Sequence, residues 1–130
     1  MSDFSQALSI TSSGLQAQAQ RLRHLSENIA NADTPGYRRK TVSFEAALGG
    51  AGEAGAVRTG PVQLDRSDLE RVYDPAHPLS DEDGHYEGSN VDLVIEIADA
   101  REAQRSYEAN LKMFEQARQM SSRLLDLLRR

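Results

Sequence analysis

Cysteine and tryptophan are both absent from this 130-residue chain. The first absence excludes disulfides, thiolate nucleophiles and cysteine metal ligands, and suits a structure that persists outside the cytoplasm without oxidative folding. Aromatic residues are scarce at 5%, and hydrophobic residues reach only 38%, below the usual apolar share of a globular domain. A large self-contained core is therefore not expected. Long helices with one apolar stripe suit such a composition, and those need partners to cover the stripe. No apolar run nears the ~20 residues that span a bilayer. Met1-Ser2-Asp3-Phe4-Ser5-Gln6 has neither the basic nor the apolar region of a cleavable signal. Basic charge is in deficit, with a net charge of −5. That argues against a nucleic-acid binder, which carries a basic surface.

Signatures of catalysis and metal binding are missing too. His24, His77 and His85 have no paired spacing that would build a zinc site. There is no Gly-x-Ser-x-Gly elbow and no glycine loop placed to cradle phosphate before a helix. Asp81-x-Asp83-Gly84 has part of a calcium loop, but no glutamate follows at the twelfth position, so it reads as an acidic turn. Neither an enzyme, a cofactor nor a metal is expected.

What the chain does have is two long helical patterns around an irregular middle. Leu8, Leu15, Leu22 and Ile29 recur by sevens, flanked by a row of small residues at Ser12, Ala19 and Ser26. This is a coiled-coil-like packing stripe with room for close helix approach. At the other end, Ala103, Tyr107, Asn110, Phe114, Ala117, Ser121, Leu124 and Leu128 alternate by four and three, with no proline or glycine after Val91. Tyr107, Asn110, Phe114 and Leu124 are the candidate packing residues there. Asn110, polar on an apolar seam, suggests a register-setting contact, and a solvated position fits it equally well. Ser89-Asn90 offers a cap for this helix, although Val91, Leu93, Ile95 and Ile97 alternate as a strand would.

Between the helices, Arg38-Arg39-Lys40 forms a basic trio that reads as a solvated run or as a contact for acidic partners or lipid headgroups. Residues 49–55 form a glycine-rich loop. Val57 to Leu64 and Leu69 to Tyr73 read as two short strands joined by Asp65-Arg66-Ser67-Asp68, with Pro61 arguing for an edge position. The expected fold class is mainly α with a small β-containing middle, the long N- and C-terminal helices pairing as a coiled-coil-like rod domain. Three segments follow: residues 1–36, the N-terminal helix and turn motif; residues 37–90, an irregular middle containing a β-hairpin; and residues 91–130, the C-terminal helix.

The first helix ends in Leu25-Ser26-Glu27-Asn28-Ile29-Ala30-Asn31-Ala32-Asp33-Thr34-Pro35-Gly36-Tyr37. Asn31 and Asp33 compete for backbone groups, Pro35 fixes φ and Gly36 accepts positive φ, so a helix stop and a type II turn are expected. The same string resembles the N-terminal motif of bacterial flagellar rod and hook proteins, with Asn28, Asn31, Pro35, Gly36 and Tyr37 on the motif. Tyr73-Asp74-Pro75-Ala76-His77-Pro78-Leu79, Asp83-Gly84-His85-Tyr86, Asn90-Val91-Asp92 and Arg105-Ser106-Tyr107-Glu108-Ala109-Asn110 resemble the C-type family of proximal rod proteins. Residues 49–68 carry no resemblance. Ser89 stands where that family often has proline, and Thr34-Pro35-Gly36 joins Asp33 directly to Tyr37 where many members have an insertion.

The resemblance implies a structural subunit of the flagellar basal-body rod, the torque-transmitting drive shaft. Its implied partners are itself, other flagellar rod proteins and the flagellar type III export apparatus, with no nucleic acid and no membrane span. It implies manufacture in the cytoplasm, export without a cleaved signal, and helical assembly in the periplasm through the terminal helices. Poorly ordered termini are expected in the free subunit, folding on assembly. A B-type rod protein and a cytoplasmic coiled-coil adaptor are the alternatives.

Overall fold

The computed structural model describes residues 2–46 and 55–129. The chain is mainly α-helical: α1 spans Ser2–Ala30 and α2 spans Leu93–Leu128. At 1.5 Å per residue they are about 43 and 54 Å long. The alternation from Val91 to Ile97 does not make a strand, because α2 is already helical from Leu93. Its cap is Asp92 rather than Ser89 or Asn90: the Asp92 carboxylate accepts from Val94 N–H at 3.1 Å. Ser89 and Asn90 are used in tertiary contacts instead.

The two helices run antiparallel. Gly14 meets Asn110, Arg21 lies 3.7 Å from Glu102, and Asn28 bonds Glu96, so residues rise along one helix as they fall along the other. Gly14 has a use here beyond weakening its helix. A Cβ at this position would sit 3.1 Å from the Asn110 carboxamide, so the missing side chain makes the notch that Asn110 fills. Nδ2 of Asn110 bonds the Ser106 carbonyl at 3.0 Å.

Among the described residues, six short strands occupy the middle: β1 (Lys40–Thr41), β2 (Phe44–Ala46), β3 (Val57–Thr59), β4 (Gln63–Leu64), β5 (Arg71–Tyr73) and β6 (His85–Glu87). The expected pairing of the 57–64 and 69–73 segments is not the one observed. β1 pairs with β4 and β2 with β3, both antiparallel, so residues 40–46 fold back against 57–64 as one interrupted ribbon. The interruption holds Pro61, which has no N–H to give a ladder. The turn at Asp65 to Asp68 leads not into a hairpin but to β5, which pairs with β6. The glycine-rich loop lies outside the described residues, Gly55 excepted.

The ribbon lies along α1. Val57 N–H donates to Ser13 Oγ at 3.1 Å, and Thr59 Oγ1 donates to Gln20 Oε1. Among the described residues the buried core is small, consisting of Ala17, Leu25, Ala56 and Ala103 among apolar residues, with His24, Asn28, Ser89 and Glu96 among polar ones. The interior is thus as polar as it is apolar.

Candidate functional site

The polar part of that interior lies where α1 ends and α2 begins. Asn28 is fully buried and meets all of its hydrogen-bonding capacity. Its Oδ1 accepts from Lys40 N–H (2.9 Å) and from the Tyr37 hydroxyl (2.8 Å), and its Nδ2 donates to the Lys40 carbonyl (2.9 Å) and to Glu96 Oε2 (3.3 Å). One side chain therefore joins the end of α1, the segment after the turn, and the start of α2.

Glu96 is also fully buried, and its second oxygen accepts from Arg39 Nε. Arg39 reaches two further carboxylates, Asp65 and Asp99, each at 3.6 Å. Burial acts against the Arg39 cation, but the Glu96 hydrogen bond and the three negative charges outweigh it and hold the pKa above its ordinary value. Asn90 closes the circle. Its Oδ1 accepts from Arg39 N–H at 2.6 Å, and its Nδ2 donates to the Asp65 carbonyl at 2.9 Å.

The basic trio is accordingly not a solvated run, and two of its three cations are committed to carboxylates of the same chain. Arg39 pairs inside the chain, Lys40 Nζ lies 2.8 Å from Glu27, and Arg38 donates to the carbonyls of Asp65 and Ser67. Its carboxylate partners come from the end of α1, the 65–68 turn and α2, and the folded chain brings them together around residues 38–40. The Lys40 hydrogen bond lowers the Glu27 pKa, and burial raises that of Tyr37.

The turn motif has the expected form. Tyr37 N–H bonds the Thr34 carbonyl at 3.2 Å across Pro35 and Gly36, and Gly36 has φ of 75°. Asn31 terminates the helix, its Nδ2 bonding the Glu27 carbonyl while its Oδ1 accepts from Thr34. Gly36 N–H then bonds the Gly88 carbonyl at 3.0 Å, and Ser89 Oγ bonds the Ala32 carbonyl, which seats the turn on the end of the β5–β6 hairpin. Ser89 thus supplies a donor that proline would lack.

Leu8, Leu15, Leu22 and Ile29 are half-buried. Each lies one residue beyond the row that includes Gly14, Arg21 and Asn28 and faces α2, so about 100° round the helix. Ser13 and Gln20, one residue before that row, meet the ribbon. The leucine stripe therefore occupies the flank away from the ribbon. Tyr107, Asn110 and Phe114 are half-buried on α2, and Leu124 is exposed near its end.

Sequence reasoning placed Arg39 in a basic trio and Asn90 at a helix cap and in a family motif, and did not single out Glu96. A signal for Glu96 does exist: it is one carboxylate within Leu93-Val94-Ile95-Glu96-Ile97. The structure inverts the normal order of burial there, with Glu96 at 0% exposure while Val94 is 77% and Ile95 52% exposed. Leu111, Met113, Met120, Leu124, Leu125, Leu127 and Leu128 extend exposed apolar surface along the same helix. Among the described residues no grouping of histidine and carboxylates could hold a metal ion, and no helix is long and apolar enough to cross a membrane.

Comparison with known proteins places both ends of the chain. Residues 8–38 match the family model described as flagella basal body rod protein, and residues 82–127 match that of the flagellar basal body rod FlgEFG protein C-terminal. The flagellar basal-body rod protein FlgC of Agrobacterium fabrum is 44% identical over 136 aligned residues, covering 99% of this chain and 98% of the relative. The chain belongs to the flagellar basal-body rod protein family. Its FlgC relatives extend to Escherichia coli O6:H1, at 34% identity over 91% of this chain and 92% of the relative, and to Bacillus subtilis, at 32% over 93% and 95%. The two matched segments of the rod family meet at the Asn28–Glu96–Arg39 network.

Proposed function

We propose that this chain is a structural subunit of the bacterial flagellar basal-body rod, in the proximal section that its FlgC relatives name, and that it polymerises through its terminal helices. The observation that carries the reading is the inverted burial of α2. Many apolar side chains between Leu93 and Leu128, Val94, Met113 and Leu127 among them, face outward while the helix buries a glutamate against its own chain. An exposed apolar surface of this extent marks an interaction site. Copies that repeat a head-to-tail contact build an open helical assembly.

In this reading the helix junction sets the relative geometry of α1 and α2, and the leucine stripe and outer α2 face are covered by neighbours. The role carries no catalytic step. The domain division is the one read from the sequence: residues 1–36 and 91–130 form the rod core and residues 37–90 an outer middle. Export through the flagellar type III apparatus without a cleaved signal, followed by assembly in the periplasm, fits this function.

Leu22→Asp tests the proposal. The charge falls on a half-buried flank away from the junction, so the junction and middle fold as before. Cells carrying the variant as their sole copy are expected to be non-motile and to lack completed rods. Normal swimming would contradict assembly through this stripe.

A further inference from the structure

Charge is divided unevenly along the chain. Residues 69–89 hold six carboxylates and a single arginine, so this hairpin alone accounts for the whole net charge of −5. Residues 38–67 carry five basic and three acidic side chains. Some of these charges are paired within the chain: Arg39 with Glu96, Lys40 with Glu27, Arg58 with Glu45, and Arg71 with Asp81. Glu70, Asp74 and Glu87 also lack a cation within ion-pair distance among the described residues, but two clusters of unpaired charge stand beside exposed apolar side chains. In the hairpin, Glu82 and Asp83 have no cation within ion-pair distance among the described residues, and Leu79 and Tyr73 are exposed beside the same loop. At the β1–β4 end of the ribbon, a groove is lined by Arg38, Val62, Gln63, Leu64 and Arg66. Neither arginine there has a carboxylate partner among the described residues, and Val62 and Leu64 are exposed.

The two surfaces match in kind. One presents two carboxylates with a leucine and a tyrosine; the other presents two guanidiniums with a valine and a leucine. The apolar groups, Glu82, Asp83 and Arg66 are open to solvent, and Arg38 is half-buried with Nη1 on the Asp65 and Ser67 carbonyls and no carboxylate partner among the described residues. We infer that the acidic tip of the β5–β6 hairpin docks into the two-arginine groove of a second copy of this chain. Tip and groove are different patches of one molecule, so each copy offers both, and the contact repeats without closing on itself. Opposite charges steer and orient the approach, and the apolar pairs supply burial. This contact rests on the rod reading and adds to it a link between the outer middle regions, separate from the helix packing.

Absence of native cysteine makes the test clean. The full chain carrying Gln63→Cys and Glu82→Cys is expressed as the sole copy, and purified hook–basal bodies are oxidised and run without reductant. The expected result is a ladder of dimers and higher multimers from the double variant, with monomer alone from either single variant. Adding Arg66→Glu should lower the ladder yield at least fivefold, and adding Asp83→Arg to that chain should restore it. Incorporation of the chain into basal bodies without a ladder overturns the docking and leaves the rod reading intact. So does a fast-migrating internal disulfide, a disulfide to a chain of different mass, or a ladder indifferent to Arg66→Glu. Absence of the cysteine-free parent chain from basal bodies overturns the rod reading, and the docking with it.

Discussion

Asn28 shows how one side chain fixes a geometry. A carboxamide offers two donors and two acceptor sites, and here all four are used on three separate segments. No isosteric replacement preserves that set. Asn28→Asp keeps the shape but loses both donors and faces the buried Glu96 with a second carboxylate. We expect it to lower the stability of the free chain at neutral pH by about 3 kcal/mol, the scale of an uncompensated buried charge. Urea unfolding followed by tyrosine fluorescence measures it, and an unchanged midpoint would remove Asn28 from the junction. Acid should act on the same cluster. Glu27 and Asp65 have pKa values below their ordinary 4.5 and 3.8, through the Lys40 hydrogen bond and the Ser67 backbone N–H respectively. A lowered carboxylate pKa adds stability that is full above the unfolded value and is lost as pH falls through the folded one. Lys40 is raised above 10.5, chiefly by the Glu27 hydrogen bond, so its share persists through neutral pH and fails only in strong base. The junction should therefore hold its urea midpoint between neutral pH and about 5, then lose it below roughly pH 4. A midpoint that rises on acidification would reverse the sign. Much of this cluster was legible residue by residue. Asn31, Pro35 and Gly36 declare a helix stop and turn through their backbone preferences alone. Arg39 and Asn90 do not declare these roles locally, and Glu96 does so only by standing as a lone carboxylate in an apolar run, because the contacts, such as Asn90 with Asp65 and Arg39 with Glu96, join segments 25 and 57 residues apart.

At the scale of elements, the two helices were readable from period and from missing breakers, and strands at 57–64 and 69–73 were readable too, whereas their pairing was not. Two- and three-residue strands have too short a run for alternation to specify a partner, so pairing follows the ribbon's docking on α1 rather than local pattern. The antiparallel register is more informative. Gly14 and Asn110 interlock, and each is costly in isolation: a glycine in a helix interior and an amide on an apolar seam. They should be energetically coupled. Gly14→Ala alone gains little, because the new Cβ lies 3.1 Å from the Asn110 carboxamide. In an Asn110→Ala background the same change should recover about 1 kcal/mol of helix propensity. A double-mutant cycle on thermal unfolding should give a coupling of about 0.5 kcal/mol or more. Strict additivity would mean that the notch does not set the register.

The whole molecule is an inside-out balance. Its buried centre is a hydrogen-bonded polar cluster, and much of its apolar surface is outside. Composition announced this early, since a chain with 38% hydrophobic residues has little with which to fill a core. The sequence could not say which face of each helix the chain reserves for itself, because stripes at Leu8–Ile29 and at Gly14–Asn28 have the same period of seven. The same balance predicts an order of local stability in the free subunit. Amide exchange should be slowest around Leu25, Asn28 and Glu96, and should quicken along both helices toward Phe4 and Leu128. Uniform protection along both helices would contradict folding of the termini on assembly.

The most direct test of the rod assignment is quantitative mass spectrometry of purified hook–basal bodies against the cytoplasmic fraction of the same cells. The account predicts enrichment of this chain with the rod at several copies per particle. Abundance in the cytoplasm and absence from intact basal bodies would contradict it, and would make the chain a soluble helical adaptor instead.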